Sequence, residues 1–204
     1  MTSFDLTPDR QADFSSAVLS LRQAQFANPV FFSTDEVRQL KQDALTLPFR
    51  QARSVVGQGV HQDFQICFPA PLIHSFAKAA QLLETASAAL SATQPDLFED
   101  NVHINDFAVQ NYPAGSRGIG IHKDGLRYRN LVFIITLDGG SDLFICADRD
   151  GSDRQVIDDT PGRLVVLPAP GLSFLADPAA RPLHGVDAVS RGRLSIGFRQ
   201  ERKS

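Results

Sequence analysis

Two His-x-Asp triplets are the first residues in this chain that could do chemistry: His61-Gln62-Asp63 and His122-Lys123-Asp124. Five histidines and 19 aspartates in 204 residues give about 0.5 such triplets by chance, so their surroundings must choose between them. In RGIGIHKDG, the two-residue period of a strand puts Gly118, Gly120, His122 and Asp124 on one face and Ile119 and Ile121 on the other. The polar face carries an imidazole and a carboxylate beside two positions without side chains, which leaves room for a metal ion and a ligand. Two protein donors hold a divalent ion poorly, whereas two His and one carboxylate on one face bind Fe(II) and leave coordination positions open. His184, in RPLHGV 60 residues after Asp124, is the candidate third donor.

Nine residues beyond His184 the chain reads RLSIGFR. Leu194, Ile196 and Phe198 point to a core, and Arg193, Ser195, Gly197 and Arg199 share the opposite face. Two guanidiniums, a hydroxyl and a gap on one face suit a dicarboxylate, because each guanidinium can take a carboxylate bidentately. The two arginine Cα atoms would be ~20 Å apart, so their side chains would have to reach inward over Gly197. His61-Gln62-Asp63, paired with His103 or His122, has no Arg-x-Ser at a comparable distance and is read as a decoy. His74 and His103 are given no role. DRDGSD (148–153) lacks the spacing and terminal Glu of an EF-hand and reads as a solvated hairpin tip.

The elements that position these residues change character near residue 100. Before it, Ser33 and Glu36 have capping-box spacing ahead of VRQLKQDAL, which predicts a helix ended by Pro48. A second helix is predicted from Pro71 to about Ala92, and FRQARSVV and HQDFQICF flank Gly57-Gln58-Gly59 as a hairpin. After it, short strands alternate with turn residues every eight to twelve positions, and roughly eight strands fit between Asn101 and Arg199. The expectation is a mainly β fold with N-terminal helices and a double-stranded β-helix (jelly roll) core. Residues 1–204 are read as a single domain, with 1–100 a helical brace and hairpin lid and 101–204 the core. Phe31, Phe32, Phe49, Phe64 and Phe68 are read mostly as core, with one or two at the substrate mouth.

Taken in order, QNYPAG, HKDG, LVFIITLDGG, PGRLVVLP, PLHGV and RLSIGFR resemble the Fe(II)/2-oxoglutarate-dependent dioxygenases, most closely the AlkB-like branch. The resemblance covers about Asn101 to Arg199. It implies iron at His122, Asp124 and His184, and 2-oxoglutarate held at its distal carboxylate by Arg193 with Ser195 and Tyr112 assisting. Arg199 would then lie toward the metal end. O2 is the implied oxidant, with succinate and CO2 as coproducts and hydroxylation or oxidative demethylation as the outcome. The turn begins Gln-Asn-Tyr where the AlkB pattern has Asn-x-Tyr, and one extra residue follows Gly115. Ser195 and Gly197 replace an Asn and a Thr of that pattern, and Arg127 sits where a base-contacting acidic residue often follows. The cofactor end thus carries over better than the substrate end.

Composition bears on partners. The chain has 20 Lys+Arg against 23 Asp+Glu, a net charge of −3, so no global basic field draws it to nucleic acid or anionic lipid. That favours a small-molecule substrate; an AlkB-type repair demethylase is the alternative, with Lys41, Arg50, Arg53, Arg202 and Lys203 as a local groove. A non-catalytic jelly roll binding a metal or diacid is the third reading. The longest apolar run, Leu131 to Leu137, is far short of a membrane helix. Cys67 and Cys146 do not form a disulfide framework, and the N-terminus has no secretory pattern, so a cytoplasmic setting is expected.

Overall fold

A computed structural model describes residues 4–202. Three helices precede the sheet-rich half: α1 (Pro8–Ser20), α2 (Thr34–Ala44) and α3 (His74–Thr93). α2 starts as its sequence dictates, with Ser33 as N-cap and Glu36 completing the capping box. Glu36 is fully buried, and Arg10 of α1 grips both its oxygens at 3.0 and 2.9 Å, so one carboxylate caps α2 and ties it to α1.

α3 begins three residues later than Pro71 because its N-terminus is capped from outside its own sequence. Asp43 of α2 accepts from the Ser75 amide at 3.1 Å and from the Ser75 hydroxyl at 2.5 Å. α1 itself has the local signal of Thr7 as N-cap and proline in its first turn, with an apolar stripe that buries only Phe14 and Val18.

Between α2 and α3 lie β1 (Arg50–Gln51), β2 (Val55–Val56), β3 (Val60–Asp63) and β4 (Gln65–Cys67). After α3 come β5 (Asp106–Tyr112), β6 (Gly118–His122), β7 (Tyr128–Gly139), β8 (Asp142–Cys146), β9 (Gln155–Val156), β10 (Val165–Pro168), β11 (Leu183–Asp187) and β12 (Arg193–Glu201). These are the eight strands that the turn spacing predicts. All pair antiparallel in two six-stranded sheets, β1-β4-β5-β12-β7-β10 and β2-β3-β6-β11-β8-β9. This is the expected jelly roll.

The 50–67 segment does more than form a hairpin. β2 and β3 pair around Gly57 and Gly59 as expected, but β1 and β4 join one sheet while β2 and β3 join the other. Phe64, fully buried with its ring centroid 4.6 Å from that of Tyr112, pins the crossing between the sheets.

The helices cover the outer face of the first sheet. Phe14, Val18, Leu40, Phe76 and Leu83 share one apolar cluster with Phe107, Phe133, Leu194, Ile196 and Phe198, and each fully buried large side chain contributes about 2 kcal/mol. A second cluster fills the space between the sheets, with Tyr112, Val132, Val165 and Leu167 from one and Ile119, Leu143, Ile145 and Val186 from the other. By the strand period, Arg193, Ser195, Gly197 and Arg199 point into this inner space.

Candidate active site

Strand pairing closes the long sequence gap between the two histidines. His184 on β11 is the register partner of His122 at the end of β6, and their ring centroids are 4.3 Å apart. His122 Nδ1 lies 2.8 Å from Gly120 O, and His184 Nδ1 lies 3.3 Å from Pro182 O. A carbonyl only accepts, so the hydrogen-bond partners place a proton on Nδ1 in both rings, and in the neutral form of each ring Nε2 is the nitrogen that carries the lone pair. Asp124, just beyond β6, accepts from Arg199 Nε through Oδ1 at 3.3 Å. Its Oδ2 is buried without a hydrogen-bond partner and stands 3.5 Å from His184 Nε2.

A buried carboxylate oxygen thus faces an imidazole lone pair. Two acceptors in that position repel unless a cation lies between or beside them, and a metal ion satisfies both. Burial, reinforced by His184, brings the His122 pKa down to about 4, so the ring is neutral at pH 7. Burial alone would raise the Asp124 carboxyl, but the Arg199 guanidinium outweighs it and holds it below the usual range, and the two imidazoles add to this only when protonated. Arg199 stays firmly charged: burial works against its cation, while Asp124, Tyr128 and Asp106 more than compensate.

Among the described residues, no group of three or more His, Cys, Asp or Glu side chains converges as a metal cage as the structure stands. His122, Asp124 and His184 are gathered rather than converged, and the hold of Arg199 on Asp124 contributes to this. By donor type they fit Fe(II): two imidazoles fixed through Nδ1, and an ionised carboxylate with one free oxygen.

The two glycines of RGIGIHKDG do not leave the open space expected of them. A Cβ at Gly118 would stand 1.8 Å from Val186 O, and one at Gly120 would stand 2.8 Å from the His61 Nδ1. Close approach of β11 and the His61 ring already use that room. His61 itself reaches Arg117 O at 3.3 Å. At the tip of 148–153, Asp148 Oδ1 accepts from the amides of Asp150 and Ser152, which is turn chemistry.

The four residues expected to bind the diacid separate into two groups. Arg199 stands beside Asp124, its guanidinium folded over Gly197, where a Cβ would meet Nη1 at 2.8 Å, so that gap holds no separate ligand. Arg193, Ser195 and Tyr112 are buried at the other end. Arg193 Nη1 donates to Ser141 Oγ at 3.0 Å and to Asp159, which also accepts from Thr136 Oγ1 at 2.5 Å. A guanidinium in the interior needs a counter-charge, and Asp159 supplies it. Arg193 Nε remains buried without a partner, so the group fits a carboxylate by its donors but already carries one. Tyr112 donates to Gln110 Oε1 at 3.3 Å. Burial, the largest influence on Tyr112, raises its pKa and keeps the phenol protonated.

This pairing yields an expected outcome. Asp159→Asn leaves the Arg193 charge without its internal partner, at a cost of about 3 kcal/mol, and frees it for an external diacid. Added 2-oxoglutarate should therefore raise the thermal midpoint of the variant more than that of the parent. An equal or smaller shift would remove Arg193 from diacid binding.

A cleft of about 860 Å³ opens onto His122, Asp124 and Arg199, with the 50–67 segment as one wall. Gln110 and Tyr128 line it, whereas Arg193, Ser195, Tyr112 and His184 lie behind it. Of the five Phe residues read mostly as core, Phe31, Phe32 and Phe64 are buried and Phe49 is half-buried, while Phe68 is 39% exposed and lines the cleft. Of the basic groove, Lys41 is paired with Asp138 at 2.7 Å, Arg50 and Arg53 line the cleft, and Lys203 lies outside the described residues. A larger cavity of about 1030 Å³, between α1 and the end of β8, contains no histidine or arginine. Sequence reasoning missed Asp159, Asp106, Tyr128, Gln110 and Arg181. Only Arg181, three residues before His184, had a positional signal.

The chain matches no protein-family model and no curated protein sequence. It does match solved structures. A Pseudomonas putida prolyl-4-hydroxylase aligns over 93% of this chain and 100% of its own, at 18% identity and a TM-score of 0.66. A Trichoplax adhaerens prolyl hydroxylase in complex with a hypoxia inducible factor peptide aligns over 98% and 96%, at 15% identity and a TM-score of 0.69. A Burkholderia pseudomallei oxidoreductase of the 2OG-Fe(II) oxygenase family aligns over 95% and 91%, at 17% identity and a TM-score of 0.57. The chain therefore has the fold of 2OG-Fe(II) oxygenases.

Proposed function

We propose that this protein is an Fe(II)- and 2-oxoglutarate-dependent oxygenase that hydroxylates, or oxidatively demethylates, a small molecule. The observation that carries the proposal is the buried Asp124 Oδ2 facing the His184 Nε2 lone pair at 3.5 Å beside the neutral His122. His122, Asp124 and His184 would hold iron. Arg193, with Tyr112 and Ser195, would hold the distal carboxylate of 2-oxoglutarate. When bound, iron and 2-oxoglutarate supply the oxidising chemistry, with O2 consumed, succinate and CO2 released, and a substrate C–H converted to C–OH. On an N-methyl carbon that product sheds formaldehyde.

The chain's own residues prepare the site. The carbonyls of Gly120 and Pro182 orient the two rings, and Arg199 keeps Asp124 ionised. The apolar layer between the sheets excludes water. We read residues 1–204 as one working unit, because the hairpin at 50–67 contributes strands to both sheets. Unpaired, buried Cys67 and Cys146 fit a reducing, cytoplasmic setting, and no helix among the described residues is long and apolar enough to cross a membrane.

The expected result is succinate formed from 2-oxoglutarate in the presence of Fe(II) and O2, lost on adding EDTA or removing O2. Formation of succinate unaffected by either treatment would contradict the proposal. A metal-only jelly roll would bind Fe(II) and form none.

A further inference from the structure

The same cleft carries a charge pattern that bears on what the enzyme acts on. Resting on the oxygenase reading above, we infer that its substrate is a small organic anion, with a phosphate or carboxylate group held by arginines at the cleft wall and its reacting carbon directed to His122 and Asp124.

Arg50, Arg53, Arg127, Arg149, Arg181 and Arg199 line the cleft together with Lys123, and Asp124 is the one carboxylate in its lining. In a chain of net charge −3, this concentration is a product of the fold. The cations come from the 50–67 segment, the 123–127 turn, the turn after β8, the segment before β11, and β12. Separate segments converging on one concavity differ from a solvated charge run, and low-dielectric walls focus such a field on an anionic ligand.

Four of the six arginines, Arg50, Arg53, Arg149 and Arg181, make no salt bridge among the described residues. Arg149 reaches only a backbone carbonyl, Ile121 O at 3.4 Å. Arg181 donates through Nε to Pro178 O at 2.6 Å, while its Nη1 is buried with no partner at all. An unpartnered, buried guanidinium nitrogen is costly, and an oxyanion in the cleft removes the cost.

The rest of the lining matches an organic body rather than a bare ion. Val56, Val60, Ile66, Ile119 and Phe68 supply apolar surface, and the volume of about 860 Å³ lies within the range of small-molecule sites. An extended polynucleotide would need a track of cations beyond this enclosure.

The test is titration calorimetry at low ionic strength with four probes: phenyl phosphate, benzoate, benzyl alcohol as the uncharged counterpart, and a single-stranded oligonucleotide. Each is run on the protein alone and on protein loaded anaerobically with Fe(II) and 2-oxoglutarate. Phenyl phosphate or benzoate should bind one saturable site at least tenfold more tightly than benzyl alcohol, and which of the two is tighter identifies the anionic group. Arg53→Gln with Arg181→Gln should weaken that binding at least tenfold, and Arg53→Gln alone, at an exposed position, should weaken it severalfold. No preference for the charged probes, or a preference untouched in both variants, would overturn the inference. So would loss of bound 2-oxoglutarate on adding the probe, because the arginines would then serve the cosubstrate. Tighter binding of a single-stranded oligonucleotide, with a steep salt dependence spread over several phosphates, would overturn it in favour of nucleic acid. Anion binding in protein that takes up neither Fe(II) nor 2-oxoglutarate would instead sink the oxygenase reading.

Discussion

His122→Ala is expected to lower Fe(II) affinity by at least about a hundredfold and to reduce succinate formation to the level seen with EDTA. The size of the effect follows from the geometry. His122 and His184 are register partners on β6 and β11, each with Nδ1 committed to a backbone carbonyl, so neither ring can be replaced by a neighbour turning in. Asp124→Ala should be as damaging, because it removes the acceptor that faces His184 and leaves Arg199 without one of its two buried counter-charges. His61→Ala provides the discriminating comparison. Its triplet has the same His-x-Asp spacing, yet its ring packs against Gly120 and reaches Arg117 O, so iron binding should persist. Equal loss in His61→Ala and His122→Ala would show that the wrong triplet has been assigned.

Gly118→Ala has the second large expected effect, here on the scaffold that holds the histidines. Gly118 has a φ of +75°, and a Cβ there would lie 1.8 Å from Val186 O and 2.6 Å from the Val186 carbonyl carbon. The obstruction is backbone of β11, the strand that carries His184, so no flexible side chain can yield. Left-handed strain costs about 1–2 kcal/mol and forcing the strands apart about 1–3 more. A fall in thermal midpoint of roughly 10 °C is expected for a chain of this size, together with weaker Fe(II) binding as the His122 and His184 register opens. Gly115→Ala isolates the two contributions: its φ is +79° but nothing lies within 4 Å of its Cβ, so only the strain should register. Equal destabilisation in the two variants would mean that the close approach of β6 and β11 does not matter.

What could be read from the sequence was whatever depends on period and local chemistry. The capping box at Ser33, the eight strands after residue 100 and the alternation of RLSIGFR all have short-range causes, and the structure carries each of them. The His122, Asp124 and His184 cluster was legible because residue types narrow the choice sharply when only five histidines are present. Long-range neighbours were not legible. Nothing near Arg193 announces that Asp159, 34 residues away, occupies its guanidinium, and nothing in HQDF predicts that His61 fills the space over Gly120. Net charge was the least informative of the signals. A sum of −3 cannot reveal that six arginines from separate segments face one cleft, because that convergence exists only after folding. A preference for a small molecule drawn from the sum survives, but the molecule it now favours is an anion.

The most direct test of the iron and cosubstrate assignment is the visible absorption spectrum of the protein after anaerobic addition of Fe(II) and 2-oxoglutarate. Binding at His122, Asp124 and His184 should produce a metal-to-ligand charge-transfer band that needs both additions and is absent in Asp124→Ala. Folded protein that shows no such band, or a band that survives intact in Asp124→Ala, would contradict it.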